Sequence, residues 1–348
     1  MKRILLITAM CFLAITMNAQ KRYAVYGIGF YNLENLFDTC HDEGKNDYEY
    51  LPDGANKWNA LKYNHKLANM SRALADMGTE VLPGLGCAAI GVSEVENAKA
   101  LTDLINQPAL KERGIQFAHI EGPDRRGVDC ALLYNPKLFK CEDVKLHIYK
   151  MELPQDSLRA PTRGFLAVSG QMGGEHVAFI VCHWPSRFTG SFYRESGARQ
   201  AYAVKDSLLN ADPNCKVFVM GDMNDDPTNA SMLQYMRCKS EIEDVGEGDM
   251  YNPWYNILVK QGVGTLMYQG KWNLFDQIVL TPNLLIQKHS SDAHTLKYWR
   301  HKIQNFPYLF QTEGRYKGSP LRTHASGTWL NGYSDHLPVV VYVRKELQ

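Results

Sequence analysis

The chain lacks the features that define several large classes of protein. It has eight cysteines in 348 residues, and no two of them form a C-x-x-C pair, which argues against a disulfide scaffold. After residue 20 there is no apolar run long enough to span a bilayer. The chain also has no Gly/Ser/Pro-rich linker, low-complexity run or short-period repeat. These absences predict one domain over residues 21–348.

An excess of basic residues is missing as well. The chain has 38 Lys and Arg residues against 37 Asp and Glu residues. Because Lys2 and Arg3 lie in the first 20 residues, residues 21–348 hold 36 basic and 37 acidic residues, a formal net charge of −1. A protein that grips long nucleic acids usually has a strongly basic surface. The charge balance therefore disfavours long duplex substrates, although a local basic patch is still compatible with it.

The first 20 residues predict a targeting segment. Lys2 and Arg3 precede an uncharged apolar run over residues 4–17, and Asn18-Ala19-Gln20 offers a small residue for cleavage. The run is too short to favour a transmembrane helix, and a retained, uncleaved anchor is the alternative. We expect a cleavable signal peptide at 1–20 and a periplasmic or secreted mature protein.

What the chain does contain is a set of six short polar motifs, each beside a predicted strand. Loops at the carboxyl ends of strands carry the chemistry of many α/β proteins. One such loop with a carboxylate means little, but six that supply Asn, Glu, His and Asp predict one hard-metal phosphoester site. In chain order the motifs are Tyr31-Asn32, Ser93-Glu94-Val95-Glu96, His183-Trp184-Pro185, Gly221-Asp222-Met223-Asn224-Asp225, Phe275-Asp276-Gln277 and Ser334-Asp335-His336.

Hydrophobic periodicity predicts many strands with helices between them, which suits an α/β sandwich. Helices are predicted over residues 65–77, 97–106 and 195–209. Residues 239–273 and 284–333 are predicted to be long irregular segments, and loops of that length are usually functional. The predicted strands cover residues 24–31, 88–92, 115–120, 129–134, 144–149, 164–169, 177–182, 216–220, 274–280 and 337–343.

Together the motifs resemble those of the endonuclease/exonuclease/phosphatase superfamily, which has the deoxyribonuclease I-like fold. The resemblance runs from about Tyr26 to Val343, and its most specific parts are G-D-M-N-D at 221–225 and S-D-H at 334–336, in that order. It implies a four-layer α/β sandwich in which two facing mixed β-sheets are covered by helices. It also implies a metal-dependent phosphoesterase.

Glu94, Asp335 and Asn32 are the candidate metal ligands. Glu94 follows an apolar run, where a carboxylate is costly unless it is paired or bound to metal. Oxygen ligands suit Mg²⁺, with Mn²⁺ or Ca²⁺ as alternatives. The competing interpretations are a salt-bridged strand end for Glu94 and an ordinary turn residue for Asn32. Asn32 is also a candidate for substrate binding through hydrogen bonds.

Asp222 and Asn224 lie two residues apart after a buried strand, so alternation predicts that both side chains point the same way. The resemblance implies that Asp222 activates or positions the attacking water and that Asn224 orients it. The alternative is a turn stabilised by Asp222, since Gly221 and Pro227 mark a turn here.

His183 and His336 are the candidate phosphate-facing imidazoles, each with a carboxylate partner. Asp276 is expected to hold His336. Asp129 matches the position at which the family places an acid against the first histidine, so we predict an Asp129–His183 pair. A carboxylate on one ring nitrogen fixes the tautomer and raises the basicity of an imidazole, as general acid–base catalysis requires. A lone histidine would more often be structural.

Arg163 matches a family arginine that contacts the substrate phosphate, and Arg187 is a weaker candidate of the same kind. Two positions depart from the family members that cut duplex DNA. Glu96 stands where those proteins have a basic residue that reaches into the minor groove, and Gly127 stands where they have an aromatic residue. Both departures argue against a duplex substrate.

The leading interpretation is a magnesium-dependent phosphoric ester hydrolase in which water attacks a phosphodiester or phosphomonoester. Its partner is a phosphoester substrate (nucleotide, nucleic acid, sugar phosphate or lipid head group), and we expect a monomer. A secreted nuclease for DNA or RNA and a sphingomyelinase-like lipase are alternatives within the class. A non-catalytic phosphate-binding module of the same fold is the alternative from another class. A protease or cysteine hydrolase is disfavoured because no nucleophile motif is present.

Overall fold

The computed structural model describes residues 21–152, 162–287 and 292–347, so the predicted signal peptide at 1–20 lies outside the described residues. No helix in the described ranges is both long and apolar enough to cross a bilayer. The helices are α1 (Ala60–Asp76), α2 (Ala98–Ile105), α3 (Pro108–Lys111) and α4 (Ser191–Ala211). Shorter 3₁₀ or π turns cover Tyr48–Tyr50, Ser231–Tyr235, Ile242–Asp244, Ile257–Gln261, Pro282–Leu284 and Pro307–Leu309.

The described residues form seventeen strands, many of them rich in Val, Ile, Phe and Tyr. The first eight are β1 (Tyr23–Leu36), β2 (Ala89–Val95), β3 (Gln116–His119), β4 (Asp129–Tyr134), β5 (Phe139–His147), β6 (Phe165–Met172), β7 (Glu175–His183) and β8 (Lys216–Asp222). The others are β9 (Cys238–Lys239), β10 (Met250–Tyr251), β11 (Leu266–Tyr268), β12 (Lys271–Asn273), β13 (Asp276–Leu280), β14 (Lys297–Ile303), β15 (His324–Ala325), β16 (Thr328–Trp329) and β17 (Val339–Glu346).

Thirteen of the strands form two large mixed sheets. The order is β14-β17-β1-β2-β4-β3 in the six-stranded sheet and β5-β6-β7-β8-β13-β10-β9 in the seven-stranded sheet. The pairs β1–β2 and β7–β8, in the middle of their sheets, are parallel. Strands that run parallel end at the same edge of a sheet. The other four strands form the small β11–β12 and β15–β16 ladders.

Each sheet packs against the other sheet on one face and against helices on the opposite face. Strands β1, β2 and β4 contact β7, β8 and β13 across the interface, while α1 packs on β1 and α4 packs on β7 and β8. The core between the sheets is apolar, and Val181 and Met220, which face Gly91 of β2 across the interface, are fully buried there. Asn59 caps the amino terminus of helix α1, since its side chain accepts a hydrogen bond from the Lys62 N–H. The predicted four-layer α/β sandwich is confirmed.

The topology brings residues from distant parts of the chain to one edge of the sandwich. Strands β7 and β8 end with His183 and Asp222, which are register partners. Strand β13 runs antiparallel to β8, and its first residue, Asp276, is opposite Asp222. Strand β17 runs antiparallel to β1, so Asp335 and His336, just before β17, reach the edge where β1 ends. Backbone pairing alone therefore assembles most of the site.

Two sequence predictions about elements are wrong, and a third has the wrong bounds. The segments predicted to be irregular contain strands, which are β10, β11 and β12 within 239–273 and β14, β15 and β16 within 284–333. The strand predicted over 144–149 overlaps β5, which runs from Phe139 to His147. Strand β14 reads Lys-Tyr-Trp-Arg-His-Lys-Ile and lies at the edge of its sheet. Edge strands are often charged, so the apolar alternation that identifies buried strands does not detect them.

Candidate active site

The strands β1 and β2 are distorted where they reach the site. The pairing register shifts between Asn32 and Leu36 and again between Ser93 and Val95, which marks bulges in both strands. Glu34 (φ 49°) and Glu94 (φ 60°) lie within these bulges and have positive φ angles. Such a conformation costs a non-glycine residue about 1–3 kcal/mol and persists only where the surroundings impose it. The bulges redirect two carboxylates that a regular strand would place differently.

Asp222 lies at the centre of the site. Its Oδ2 atom accepts a hydrogen bond from Asn32 Nδ2 at 3.0 Å and lies 3.6 Å from His183 Nε2 and 3.7 Å from His336 Nε2. Its Oδ1 atom accepts a hydrogen bond from the Asn224 N–H at 2.9 Å. Burial raises the pKa of Asp222 to about 6. A carboxylate flanked by two imidazoles is well placed to exchange a proton with a water molecule.

His336 and Asp276 form the predicted pair. His336 Nδ1 lies 2.7 Å from Asp276 Oδ2, and Asp276 is fully buried. The His336 N–H donates to Ser334 Oγ at 3.1 Å, and Ser334 Oγ–H donates to the Asn32 carbonyl oxygen at 2.7 Å. Burial alone would lower the pKa of His336, but the charges of Asp276 and Asp222 outweigh it and raise the pKa well above its usual value. His336 is therefore held as a cation with a fixed ring orientation.

His183 has the opposite environment. Its Nδ1 atom is buried and has no hydrogen-bond partner among the described residues. Burial, followed by the charges of Arg163 and Arg126, lowers the pKa of His183 well below its usual value. One imidazole at the site is thus neutral and the other is cationic. Environments that drive two similar groups apart in pKa are typical of sites that use one as a base and the other as an acid.

The predicted pair of Asp129 with His183 is wrong. Asp129 Oδ2 lies 3.1 Å from His119 Nε2, and Asp129 Oδ1 accepts a hydrogen bond from the Gly122 N–H at 3.0 Å. Asp129 does begin a strand at the same edge, opposite Val95. However, His119 at the end of β3 occupies the position beside it, and sequence reasoning did not consider His119. Asp129 fixes the edge of the sheet rather than the tautomer of His183.

Three acidic side chains form a second part of the site. Glu94 Oε1 lies 3.8 Å from His183 Nε2, and Glu94 Oε2 accepts a hydrogen bond from the Asn35 N–H at 3.0 Å. Arg322 bridges the other two acids, since its Nε lies 3.1 Å from Glu34 Oε1 and one terminal nitrogen lies 2.7 Å from Asp335 Oδ2. Burial and the nearby Asp335 raise the pKa of Glu34 to about 7.

This group of carboxylates is one candidate for holding a hard divalent cation. Its side-chain donors are oxygens, the ligand type that Mg²⁺ and Mn²⁺ prefer. The nearby Asp335 disfavours the charged form of Glu34, and a bound cation relieves such crowding. Asp222, Asp276 and His336 also bring ligand-type atoms within 4.8 Å of one another. That trio is a second candidate for holding the cation, although the charges of the two aspartates raise the pKa of His336 and so favour a proton rather than a metal on its ring.

Glu34, Arg322 and Lys66 are the residues at the site that sequence reasoning missed. Glu34 lies two residues after Asn32, the same spacing that drew attention to Asp222 and Asn224. Lys66 is buried in α1 and donates to Thr323 Oγ1 at 2.6 Å, while the Thr323 N–H donates to Glu34 Oε2 at 2.7 Å. Lys66 and Arg322 thus tie the segment around Thr323 to Glu34. Nothing in the sequence around Arg322 distinguishes it from a surface arginine.

Asn32 and Asn224 orient other groups. Asn32 Nδ2 donates a hydrogen bond to Asp222 Oδ2, and Asn32 Oδ1 accepts one from the Glu34 N–H at 2.9 Å. Both ends of the Asn32 amide are therefore hydrogen-bonded within the protein. Asn224 Nδ2 donates to the Trp184 carbonyl oxygen at 2.9 Å. The predicted alternation of Asp222 and Asn224 fails because Asn224 has a φ of 49° and lies beyond the end of the strand.

The remaining candidates lie beside the site with partners of their own. Arg163 donates to Asp124 Oδ2 at 3.3 Å and to the Trp184 carbonyl oxygen at 3.1 Å, and its charge acts on His183. Arg187 donates to Asp226 Oδ2 at 2.9 Å. Glu96 is buried and accepts a hydrogen bond from the Asp38 N–H at 2.6 Å. The expectation that Glu96 presents its charge to a bound duplex is therefore wrong.

Comparison with solved structures finds this fold in several phosphate-processing proteins. An endonuclease/exonuclease/phosphatase family protein from Bacteroides thetaiotaomicron is 16% identical with a TM-score of 0.55, covering 94% of this chain and 97% of that one. The mannosyl-6-phosphatase of Bacteroides thetaiotaomicron VPI-5482 is 15% identical with a TM-score of 0.54, covering 91% and 99%. ANGEL2, a 2',3'-cyclic phosphatase, is 12% identical with a TM-score of 0.60, covering 94% and 98%.

These identities are too low to carry more than the fold. A search of curated proteins finds no match to the chain. The sequence model of the Endonuclease/Exonuclease/phosphatase family, in contrast, matches residues 27–345, which include every residue of the site described above. The chain belongs to the Endonuclease/Exonuclease/phosphatase family.

Proposed function

We propose that this protein is a Mg²⁺-dependent phosphoesterase that hydrolyses small phosphodiesters or phosphomonoesters by direct attack of water. The observation that carries the proposal is the buried Asp222 carboxylate between two imidazoles, His183 and His336, beside a group of acidic side chains. Phosphoester hydrolysis needs an aimed water, compensation for charge on the phosphoryl oxygens and stabilisation of the leaving oxygen. In the proposal, Asp222 performs the first task, and the two imidazoles and a bound cation perform the second.

In the proposed reaction, Asp222 accepts a proton from the attacking water. Asn32 fixes the Asp222 carboxylate through Oδ2, and the Asn224 N–H fixes it through Oδ1, so the base is held from both sides. The phosphorus–oxygen bond to the leaving group breaks as the bond to the water oxygen forms. Holding the base in place in this way reduces the reorganisation needed at the moment of reaction.

The two imidazoles face the same carboxylate and, in the proposal, the phosphoryl oxygens. His336 carries a positive charge and is fixed by Asp276, so it suits the developing negative charge of the phosphoryl group. His183 is neutral and donates a hydrogen bond without adding a second cation. Glu34, Glu94 and Asp335 would hold the divalent cation, which when bound neutralises phosphate charge and polarises a phosphoryl oxygen.

The structural neighbours support phosphoester hydrolysis without selecting one substrate. One of them acts as a mannosyl-6-phosphatase and another as a 2',3'-cyclic phosphatase. The site residues are themselves recessed, since Asp222, His183 and His336 each expose 5% or less of their surface. A recessed centre favours a slender phosphoester over one embedded in a rigid duplex.

The direct test is turnover of bis-p-nitrophenyl phosphate by the purified protein with Mg²⁺ or Mn²⁺. We expect hydrolysis that EDTA abolishes and that added Mg²⁺ restores, because the proposed cation site contains only oxygen ligands. The Asp222→Asn variant is the matched negative control for a contaminating esterase. Turnover that survives exhaustive chelation would refute the metal assignment, and turnover equal to wild type in Asp222→Asn would refute the site.

We further propose that the protein acts outside the cytoplasm, with residues 1–20 removed as a signal peptide. The support is the positively charged start and the apolar run of residues 4–17. Amino-terminal sequencing of the native protein is expected to begin near Gln20 or Lys21. An intact Met1 would contradict this proposal.

A further inference from the structure

An open cleft of about 830 Å³ lies directly beside the site. Its walls come from the β11–β12 hairpin on one side and from residues 311–326 on the other, and Arg322 and Asp335 lie in it. Ligand sites in proteins typically enclose about 300–1,000 Å³. The cleft therefore has room for a substrate portion the size of a nucleoside or of two sugar rings, next to the proposed reaction centre.

The charge on the cleft is positive. Arg315 and Lys317 line it, are exposed, and make no ion pair with any carboxylate among the described residues. Arg322 adds a third cation, although it is engaged by Glu34 and Asp335. Unpaired cations in a concave surface attract and position anionic ligands. Arg315, whose guanidinium lies 5.7 Å from the centre of the Tyr316 ring, and Lys317 are thus available for a negative group other than the phosphate at the reaction centre.

Two exposed aromatic rings line the same cleft. Tyr268, in the β11–β12 hairpin, is 64% exposed, and Tyr316, between the two free cations, is 57% exposed. Exposed aromatic rings that line a cavity are available to contact a ligand bound in it. A tyrosine face packs well against the flat face of a base or the apolar face of a sugar.

One wall is tied to the segment that carries His336, and the other is closed by a hydrogen bond within its own loop. The Leu337 N–H donates to the Thr265 carbonyl oxygen at 2.8 Å, which ties the start of the hairpin to the segment that carries His336. The loop that carries Arg315 is closed by a hydrogen bond from the Gly318 N–H to the Gln311 carbonyl oxygen at 2.8 Å. A preformed wall loses little conformational entropy when a ligand binds.

We infer that this cleft binds a ring-bearing part of the substrate that carries a second anionic group, such as a second phosphate. The inference rests on the proposed function, because it treats the cleft as an extension of the phosphoesterase site. Arg315 and Lys317 would bind the second anionic group, and Tyr268 or Tyr316 would cover the ring. A base or a sugar ring satisfies this chemistry equally, so the experiment includes both.

Binding is measured by titration calorimetry with Mg²⁺ in an Asp222→Asn background, which prevents consumption of the ligand. One arm compares adenosine 3',5'-bisphosphate with adenosine 5'-monophosphate, and the other compares fructose 1,6-bisphosphate with fructose 6-phosphate. We expect the second phosphate to lower Kd about tenfold in at least one arm, as two partly exposed ion pairs would. In the double variant Arg315→Gln/Lys317→Gln that ratio should fall close to one, and Lys137→Gln, an exposed lysine outside the cleft, should retain it.

Tyr268→Ala is expected to weaken binding in the arm whose ring it covers, which distinguishes a base from a sugar. Equal affinity for both members of each pair would overturn the inference, and so would a bisphosphate preference that survives in the double variant. Turnover of bis-p-nitrophenyl phosphate by the wild-type protein reports on the proposed function separately. If the Asp222→Asn protein shows no bisphosphate preference while the wild-type protein has normal turnover, only the role of the cleft is rejected.

Discussion

His336 is the side chain whose removal should be most damaging. The His336→Ala variant removes a cation that lies 3.7 Å from Asp222, and loss of a general acid–base group typically lowers kcat by about 10²–10⁴-fold. Asp276→Asn should cost less, because it only weakens the orientation and charge of the ring. Steady-state hydrolysis of bis-p-nitrophenyl phosphate measures both effects.

His65→Ala is the matched control, since His65 is exposed and lies on the outer helix α1. Circular dichroism should show the same fold in all three variants. A His336→Ala protein with turnover near that of wild type would exclude His336 from the chemistry. A greater loss in Asp276→Asn than in His336→Ala would show that Asp276 acts on more than the imidazole.

Glu34 should contribute to cation binding. It lies in a strained bulge, and both of its carboxylate oxygens are fixed by Arg322 and Thr323. We expect Glu34→Gln to raise the Mg²⁺ concentration for half-maximal turnover by about tenfold or more, the usual range for groups that ligate or orient the ligands of a metal. Glu112→Gln, at an exposed glutamate, should leave that concentration unchanged. An unchanged Mg²⁺ dependence in Glu34→Gln would remove Glu34 from the cation site.

At the residue scale, the sequence reveals those site residues that follow regular strands. Asp222, Asp276 and His336 come together as expected because strand pairing places them in register. The family resemblance pairs Asp129 with His183, but strand β3, predicted over 115–120, brings its last residue, His119, beside Asp129 instead. The direction of Glu34 depends on a bulge, which is a long-range property of two paired strands rather than of local sequence.

Among the strands, β7 and β8 set the spacing between His183 and Asp222. Gly221 is the register partner of Cys182, and a Cβ atom at Gly221 would lie 2.2 Å from the Cys182 carbonyl oxygen. The strands can approach as they do only because residue 221 has no side chain. Gly221→Ala should therefore destabilise the fold by about 1–3 kcal/mol, since the backbone must move to make room.

Urea denaturation followed by tryptophan fluorescence measures this loss. Gly246→Ala is the matched control, because the nearest atom to its added Cβ would be Asp249 Oδ2 at an ordinary 3.4 Å. Kinetic measurements on the folded Gly221→Ala protein should also show lower kcat, as the two side chains separate. A stability equal to that of Gly246→Ala would show that the strands adjust without cost.

At the element scale, the buried strands are predictable and the edge is not. The strand predicted over 129–134 matches β4 residue for residue, because an apolar run in the middle of a sheet has a clear pattern. Strand β14 has three cationic side chains and one histidine in seven residues, and no apolar alternation predicts it. The facing arrangement of the two sheets came from the resemblance of motifs, since periodicity does not determine which faces pack together.

At the scale of the whole molecule, surface charge bears on the choice of substrate. Residues 21–348 contain 36 basic and 37 acidic residues, which gives a formal net charge of −1. Binding to long nucleic acids depends mainly on cations that displace counterions from phosphates. Of the cations that might form a local patch, Arg163 and Arg187 are engaged by acidic or carbonyl groups within the protein. The free cations Arg315 and Lys317 lie in one cleft rather than along an extended surface.

Long duplex DNA should therefore be a poor substrate relative to a small phosphodiester. The burial of Glu96 removes one argument for this expectation, because its charge does not face the solvent. The burial of Asp222 and His336 replaces it, since a duplex would have to bring its backbone to side chains that lie below the surface. Nicking of supercoiled plasmid, run beside bis-p-nitrophenyl phosphate at equal enzyme and several salt concentrations, is the measurement. We expect a lower kcat/KM on plasmid and a shallow dependence on salt, because few cations contact phosphate. Plasmid nicking at a kcat/KM well above that for the small ester, with a steep loss at high salt, would instead indicate a deoxyribonuclease.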